Sequence, residues 1–305
     1  RGMAGYRSEP IEYITIENNF IAGHFQLMND YCKHLYVKNN VILNQTKITE
    51  SEATSVISED IVFENNKFMF NDENQCYYYS TTFRNNYFYN RIKILHCPQV
   101  IFEGNEFTGD GSTYGMGIFL YGNVTYARIE GNNFHDITYQ AIYASGGSIV
   151  NQLVEITNNR FDKIYTASSA ESIQFTNGNV TYSIIKGNTI RQTSGTYSMN
   201  LGNNNACVQN NDMDKTVDYS GSLIWKGNII NNKPCENFGT ATNSTSTTFV
   251  FNHGLAGTPD GMWASFNTTA ITGWTWTATS TQITVTVTRT LPASMSVYWK
   301  AEYKP

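Results

Sequence analysis

The sequence predicts an all-β chain: a solenoid of about ten coils, then a small antiparallel β-sandwich. A recurring Asn turn, with apolar residues at fixed offsets and strict alternation around it, predicts the first part. A shift after residue 235 to alternating runs rich in Thr, Val and Trp predicts the second. Counted on the second residue of each Asn-Asn or Gly-Asn turn, the repeat is anchored at Asn19, Asn40, Asn66, Asn86, Asn105, Asn132, Asn159, Asn188, Asn211 and Asn228. The spacings run from 17 to 29 residues, close to one solenoid coil each.

The strand ahead of each turn is justified by its alternation. Three positions before the Asn stand Ile16, Val37, Phe63, Phe83, Phe102, Ile129, Ile156, Ile185, Val208 and Trp225. Two positions before it the residue is never apolar, beginning Glu17, Lys38, Glu64, Arg84. Such period-two alternation marks a strand buried on one face. Stacked coils set outward residues about 4.8 Å apart, so the acid-base-acid-base order predicts a charge ladder. That ladder is an exposed structural feature, contributing roughly 0–1 kcal/mol per pair. The Asn suits a corner because it tolerates left-handed backbone and bonds nearby main chain, and stacked Asn side chains bond from coil to coil. A short second strand follows, with Ile21, Ile42, Phe68, Phe88, Phe107, Phe134, Phe161, Ile190, Met213 and Ile230 inward.

A third strand comes after a longer loop: "GIFLYG" (117–122), "QAIYAS" (140–145), "ESIQFTN" (171–177) and "YSMNLGN" (197–203). Its expected inward residues are Ile118 and Leu120, Ile142 and Ala144, Ile173 and Phe175, Met199 and Leu201. Strand, Asn corner, short strand, looser corner and third strand make one coil of a right-handed parallel β-helix, expected over residues 1–235. From about residue 10 to 235 this pattern resembles the pectate-lyase-like β-helix superfamily. Its members include pectin and pectate lyases, polygalacturonase-type hydrolases, epimerases and viral tailspike depolymerases. The resemblance implies an architecture rather than one activity.

Residues 236–248, "ENFGTATNSTSTT", are expected to be a polar linker, and 249–305 the sandwich. "TFVFNHG", "GMWASFN", "GWTWTATS", "TQITVTVTRT" and "SMSVYWKAEYK" alternate and are broken by Gly and Pro, as antiparallel strands are. The pattern looks like modules that follow β-helices in viral tail proteins and some polysaccharide-degrading enzymes. A β-helix ends in unpaired strand edges, so a terminal domain that covers them has a structural role whatever the function. No matching cap is legible at the amino end. The chain is therefore expected to be cut from a longer protein or to pack against an upstream piece.

Composition narrows the function classes. The 305 residues are 40% hydrophobic and 15% charged, which describes a folded chain. A net charge of −5 without a basic run argues against nucleic acid as the main partner. No apolar stretch approaches a membrane span and no signal peptide opens the chain. The resemblance to viral tailspikes implies an extracellular or virion-associated setting. The five cysteines (Cys32, Cys76, Cys97, Cys207, Cys235) include no CxxC and imply neither a disulfide framework nor a zinc site. No metal or cofactor is expected. The Asn-x-Thr/Ser sequons at Asn44, Asn123, Asn179, Asn243 and Asn267 reflect Asn- and Thr-rich composition.

The candidate chemistry lies in the second half of the solenoid. Three positions after the anchor Asn the column turns polar, with His135, Asp162 and Arg191 expected on consecutive coils. Asp136 flanks them, Asp110 lies in the preceding loop, and Glu171 opens the next strand. A carboxylate pair beside a groove suits acid and base roles. The same residue types also suit plain exposed corners. The outward residues of the third strand add Phe119 and Tyr121, Tyr143, Gln174, Asn200 and Asp218, with Tyr197 nearby. Aromatic faces pack on pyranose rings and amides bond hydroxyls, so this stripe is expected to bind a glycan. Cross-strand packing, or burial between the subunits of a homotrimer, explains the same stripe without a sugar.

Against the resembled families, the Asp-Asp, Gly-His-Gly and downstream Arg-x-Lys of polygalacturonases are missing. The one Arg-x-Lys, "RIK" at 91–93, lies upstream of the acidic cluster. The pectate-lyase calcium site and its Arg-x-Pro-x-x-Arg are missing too, so the scaffold carries over but no catalytic residue does. The reading is a tailspike-like polysaccharide hydrolase or depolymerase acting on a cell-surface glycan. In it Asp136 and Asp162 are acid and base, Glu171 substitutes for either, and His135 and Arg191 tune them or hold a substrate carboxylate. A non-catalytic glycan-binding or structural spike is the competing reading, and a polysaccharide lyase the third.

Overall fold

The computed structural model describes residues 3–4, 11–28, 32–49, 59–70, 73–77, 80–109, 115–145, 151–164, 171–176, 178–192, 195–221, 223–243, 247–268, 271–289 and 295–304. Among them every regular element is a β-strand. The chain visits three parallel sheets in rotation, of ten, ten and eleven strands, and ends in two three-stranded antiparallel sheets. One coil is Gln99–Glu103 in the first sheet, Glu106–Thr108 in the second and Ile118–Leu120 in the third. The next coil repeats the cycle as Tyr126–Glu130, Asn133–His135 and Ile142–Ala144. Equivalent residues pair between them: Phe102 with Ile129, Phe107 with Phe134, Ile118 with Ile142. This is a parallel β-helix.

The two residues of each Asn-Asn or Gly-Asn corner divide the work. The first takes the left-handed backbone: Asn18, Asn39, Asn65, Asn85, Gly104, Gly131, Asn158, Gly187, Asn210 and Gly227 all have φ between 52° and 68°. Only Gly or Asn does this at little cost. The second builds the ladder. Asn132 accepts at Oδ1 from the backbone N–H (2.8 Å) and the side-chain amide (2.9 Å) of Asn105. Its own amide donates to the Phe102 carbonyl (3.0 Å) and to Asn159 Oδ1 (3.0 Å). The same pattern runs from Asn19 to Asn188, and a further rung joins Asn211 to Asn228. From Asn40 onward each of these side chains is at most 2% exposed. Buried amides so fully paired are a gain; unpaired they would each be costly.

The apolar columns fill the interior. All are buried except Ile16 and Ile21 in the first coil. Because coils stack at the strand spacing, identical rings land face to face: Phe68, Phe88, Phe107, Phe134 and Phe161 have centroids 4.6–4.9 Å apart and planes within 8°. The outward charge ladder forms between Lys38 and Glu64 (3.6 Å) and between Glu64 and Arg84 (3.2 Å). Where two acids follow each other, Glu103 and Glu130, Arg128 reaches both, at 3.8 and 3.7 Å. The eight inward residues expected of the third strand are all buried.

Two compact units divide the chain: Arg1–Val208 with Lys215–Ile224, and Gln209–Asp214 with Trp225–Pro305. The last two Asn corners therefore belong with the sandwich rather than with the coils before them. Main-chain hydrogen bonds explain why: Cys235 N–H donates to Asn228, Ala256 N–H to Pro234 and Tyr303 N–H to Cys235. The expected linker 236–248 is corrected as well. Glu236–Asn243 is an eight-residue strand paired along its whole length with Met295–Glu302. Its Gly239 pairs with Trp299, and a Cβ there would sit 2.9 Å from the Trp299 ring. The small residues that read as linker are the space a buried tryptophan needs. The sandwich core gathers Phe249, Leu255, Met262, Ile283, Val285, Val297 and Trp299. His253 is fully buried, accepting from Leu255 N–H at Nδ1 (3.0 Å) and contacting the Thr279 carbonyl at Nε2 (3.1 Å), which places its proton on Nε2.

Candidate functional site

Two groups of polar side chains stand on the outer faces of the first unit, on different sheets. The larger is a row along the third sheet. In each third strand the flanking apolar residues turn inward, so the residue between them must turn outward. Parallel register then aligns Gln75, Lys93, Phe119, Tyr143, Gln174, Asn200 and Asp218, one per coil. Phe119 and Tyr143 stack at 5.1 Å, and Tyr121 meets Phe119 edge-on at 5.3 Å. Lys93 Nζ lies 4.2 Å from the Tyr121 ring and 5.8 Å from Phe119. Arg91 lies over Phe119 at 5.4 Å and pairs with Glu73 at 2.6 Å. Phe119 is therefore covered, at 9% exposure, while Tyr121 is 41% exposed. The Gln140 amide donates to Gln174 Oε1. Asn200 accepts from Gly202 N–H (3.1 Å), and Tyr197, just ahead of Met199–Asn200, is half-buried.

Glu171 belongs to this side of the coil, two residues ahead of Ile173–Phe175. It is 4% exposed, and its Oε2 has no hydrogen-bond partner. Burial pushes its carboxyl above the ordinary value of 4.5, against a lowering backbone hydrogen bond, and the charge of Asp218 pushes it further up. A carboxyl whose pKa is raised, in the field of an outward acid, is an arrangement for two different proton roles.

The smaller group lies on the second sheet. His135 Nδ1 sits 2.9 Å from Asp136 Oδ2, and its Nε2 sits 2.8 Å from Glu106 Oε1 on the preceding coil. Asp136 takes a left-handed backbone (φ 52°), which folds it back against its neighbour. Burial lowers the imidazole's pKa, and the hydrogen bonds to the two carboxylates outweigh it, so the net shift is upward from 6.5. A raised folded-state pKa stabilises the protein fully below the unfolded value and loses that contribution as pH rises through the folded value. The melting temperature is accordingly expected to fall as pH rises above 6.5. His135→Gln should flatten that slope; an unchanged slope in thermal melts across pH would remove His135 from the account.

His135 pairs in register with Asp162 on the next coil, as expected. Arg191 stands on the following coil, where the register shifts. Phe161 pairs with Ile190 and Ile164 with Gln192, so Asp162 and Lys163 together oppose Arg191 in a β-bulge, with Lys163 at φ 51°. Asp162 pairs with Arg160, at 3.1 Å. Asp110 lies outside the described residues.

The expected site residues thus divide between two sheets: His135, Asp136 and Asp162 on the second, and Tyr121, Tyr143, Gln174 and Asn200 on the third, with Glu171 beside them. Three neighbours were missed. Glu106 holds His135 from a coil away, which no local motif reveals. Lys93 and Arg91 were read only as a failed "RIK" motif. Recognising Ile92–Leu95 as a third strand by its alternation would have placed Lys93 in the row. Among the described residues no cluster of three or more His, Cys, Asp or Glu could hold a metal ion. No described helix is long and apolar enough to cross a membrane.

Fold and faces together define a parallel β-helix followed along the chain by an antiparallel sandwich. No protein-family model matches the sequence, and no curated protein matches it. Among solved structures the chain is similar to the tailspike protein of Acinetobacter baumannii phage AM24, at 9% identity and a TM-score of 0.36, covering 97% of this chain and 77% of that one. It is also similar to the tailspike protein gp49 of Pseudomonas phage LKA1, at 9% identity and a TM-score of 0.30, covering 97% and 67%. At that distance the likeness concerns architecture and assigns no residue a role.

Proposed function

We propose that this chain is a tailspike-like, virion-associated protein that recognises a polysaccharide along its third-sheet row and hydrolyses it there. The observation that carries the reading is the row itself: Lys93, Phe119, Tyr143, Gln174, Asn200 and Asp218 in continuous register, with Tyr121 beside them. An extended glycan needs a groove of repeating steps with aromatic surface for ring faces and amides for hydroxyls. Lys93 adds a cation suited to an acidic sugar. In this reading Glu171, its pKa raised by burial, is the general acid, and Asp218 is the carboxylate that activates water or stabilises positive charge.

A second reading places the chemistry on the second sheet, with Asp136 and Asp162 as acid and base. The clamp on His135 favours it, because an imidazole fixed by two carboxylates is a defined proton carrier. It is the weaker of the two, since Asp136 is engaged by His135 and Asp162 by Arg160. A homotrimeric spike accommodates both readings and is tested by sedimentation.

The experiment is incubation with a panel of acidic and neutral polysaccharides, following new reducing ends and ultraviolet absorbance together. Reducing ends alone support hydrolysis, whereas both signals together mean a lyase. Binding without either signal means an adhesive spike. Tyr143→Ala should weaken binding about tenfold in any of these outcomes. Unchanged affinity would remove the third-sheet row as the binding face.

A further inference from the structure

The second unit carries an aromatic face that its own fold does not use. Glu236–Asn243, Met295–Glu302 and Gly261–Phe266 form one sheet, with Met295–Glu302 in the middle. Its inward residues Met262, Val297, Trp299 and Ala301 are buried in the sandwich core. Outward, Phe238, Lys300 and Trp263 lie in one row across the three strands, and Thr240, Tyr298 and Ser265 in the next. Phe238 is 81% exposed, Trp263 54% and Tyr298 50%. Period-two alternation requires some residue at these places, but solubility would put a polar one there.

Geometry makes this face a platform. The far edge of the Trp263 ring lies back over Gly261, where a Cβ would meet it at 3.4 Å, an ordinary packing contact. Lys300 Nζ sits 5.6 Å over Trp263 and is held by Glu302 at 2.8 Å and Glu236 at 3.4 Å. Beside them is an open depression of about 270 Å³ lined by Trp263, Ala264, Ser265, Tyr298, Trp299 and Lys300. A flat ring, two flanking aromatics, hydroxyls and paired charges around a shallow hollow are the elements of sugar recognition.

We propose that this face is a second saccharide-binding site, taking a neutral pyranose on Trp263, with Phe238 and Tyr298 beside it and Ser265, Glu236 and Glu302 bonding its hydroxyls. The charges select the ligand class: one ammonium between two carboxylates offers an anionic sugar no uncommitted cation. The area argues against a second copy of the chain as occupant. The exposed parts of the three rings come to about 400 Å², half of the roughly 800 Å² per partner in a standard interface. The site is separate from the third-sheet row, and its failure would leave the function proposed for that row untouched.

The test uses the full chain with neutral hexasaccharides of β-1,4-glucose, α-1,4-glucose and β-1,4-mannose at millimolar concentration. Saturation-transfer NMR detects binding and tryptophan fluorescence titrates it. At least one probe should bind, at least tenfold more weakly to Trp263→Ala and to Tyr298→Ser than to the parent. Thermal melts should show both sandwich variants folded, since the altered side chains are half-exposed. No binding by any probe overturns the proposal. So does binding lost with Tyr143→Ala but kept in Trp263→Ala. A change in sedimentation for Trp263→Ala overturns it in favour of a contact between copies.

Discussion

Asn132→Ala should cost about 4 kcal/mol, a large part of the 5–15 kcal/mol that holds a typical domain together. The substitution removes four hydrogen bonds at a site 1% exposed. It leaves the Asn105 N–H, one Asn105 amide hydrogen, the Phe102 carbonyl and one lone pair of Asn159 without that partner. Burial denies them water, so the loss exceeds the sum for exposed bonds. Asn132→Asp separates the two halves of the rung, because a carboxylate still accepts from Asn105 but cannot donate to Phe102 or Asn159. It should destabilise at least as much as alanine, with an added cost for a buried charge. Thr157→Ala, on the outward column, should change stability by no more than about 0.5 kcal/mol. Stacked coils open locally, so amide exchange at Asn105 and Phe134 is the sharper probe, beside urea unfolding. A loss below about 1 kcal/mol for Asn132→Ala would mean that the ladder only decorates a helix held by its phenylalanines.

Glu171→Gln should lower polysaccharide hydrolysis by about 100- to 10,000-fold while leaving the fold intact. The amide has the shape of the protonated acid that burial favours, so the native packing loses little. Two pH effects distinguish a proton donor from a packing residue. Activity should fall as pH rises through the raised pKa of Glu171, since the donor form is the neutral one. Asp218→Asn removes both the catalytic carboxylate and a charge that holds that pKa up, so activity should fall and the alkaline limb of what remains should move to lower pH. Stability follows the same sign: the raised carboxyl contributes fully below 4.5 and loses that contribution as pH rises through its folded value. Glu171→Gln should abolish this dependence. Full activity in Glu171→Gln together with loss in Asp162→Asn would move the chemistry to the His135 cluster.

The coil was legible because it is written locally and repeated. An apolar residue three before and two after each Asn sets which way every neighbouring side chain points, and stacking sets the register. Phe119, Tyr143, Gln174, Asn200 and Asp218 could be aligned on that basis, and they do align. The Asn corner was legible as a turn and as a ladder. Its split between a left-handed first residue and a bonding second residue appears only in the backbone angles.

Other features depend on contacts with no local signature. One residue too many after Phe161 is invisible in the pattern, yet it sets both Asp162 and Lys163 against Arg191. "ENFGTATN" has the composition of a linker and becomes a strand because Met295–Glu302 offers it eight partners and Trp299 needs the room at Gly239. The raised pKa of Glu171 comes from burial and from Asp218, which lies more than one coil further along the chain.

By itself the sequence determined the architecture of this protein, its alternation of inward and outward residues, and the composition of the stripe along the third sheet. Those features repeat every coil, and a short stretch of chain is enough to encode them. Tertiary structure alone decided which titratable groups meet and which of them lose water. Charge and burial act through space between coils, and loops of unequal length set those distances.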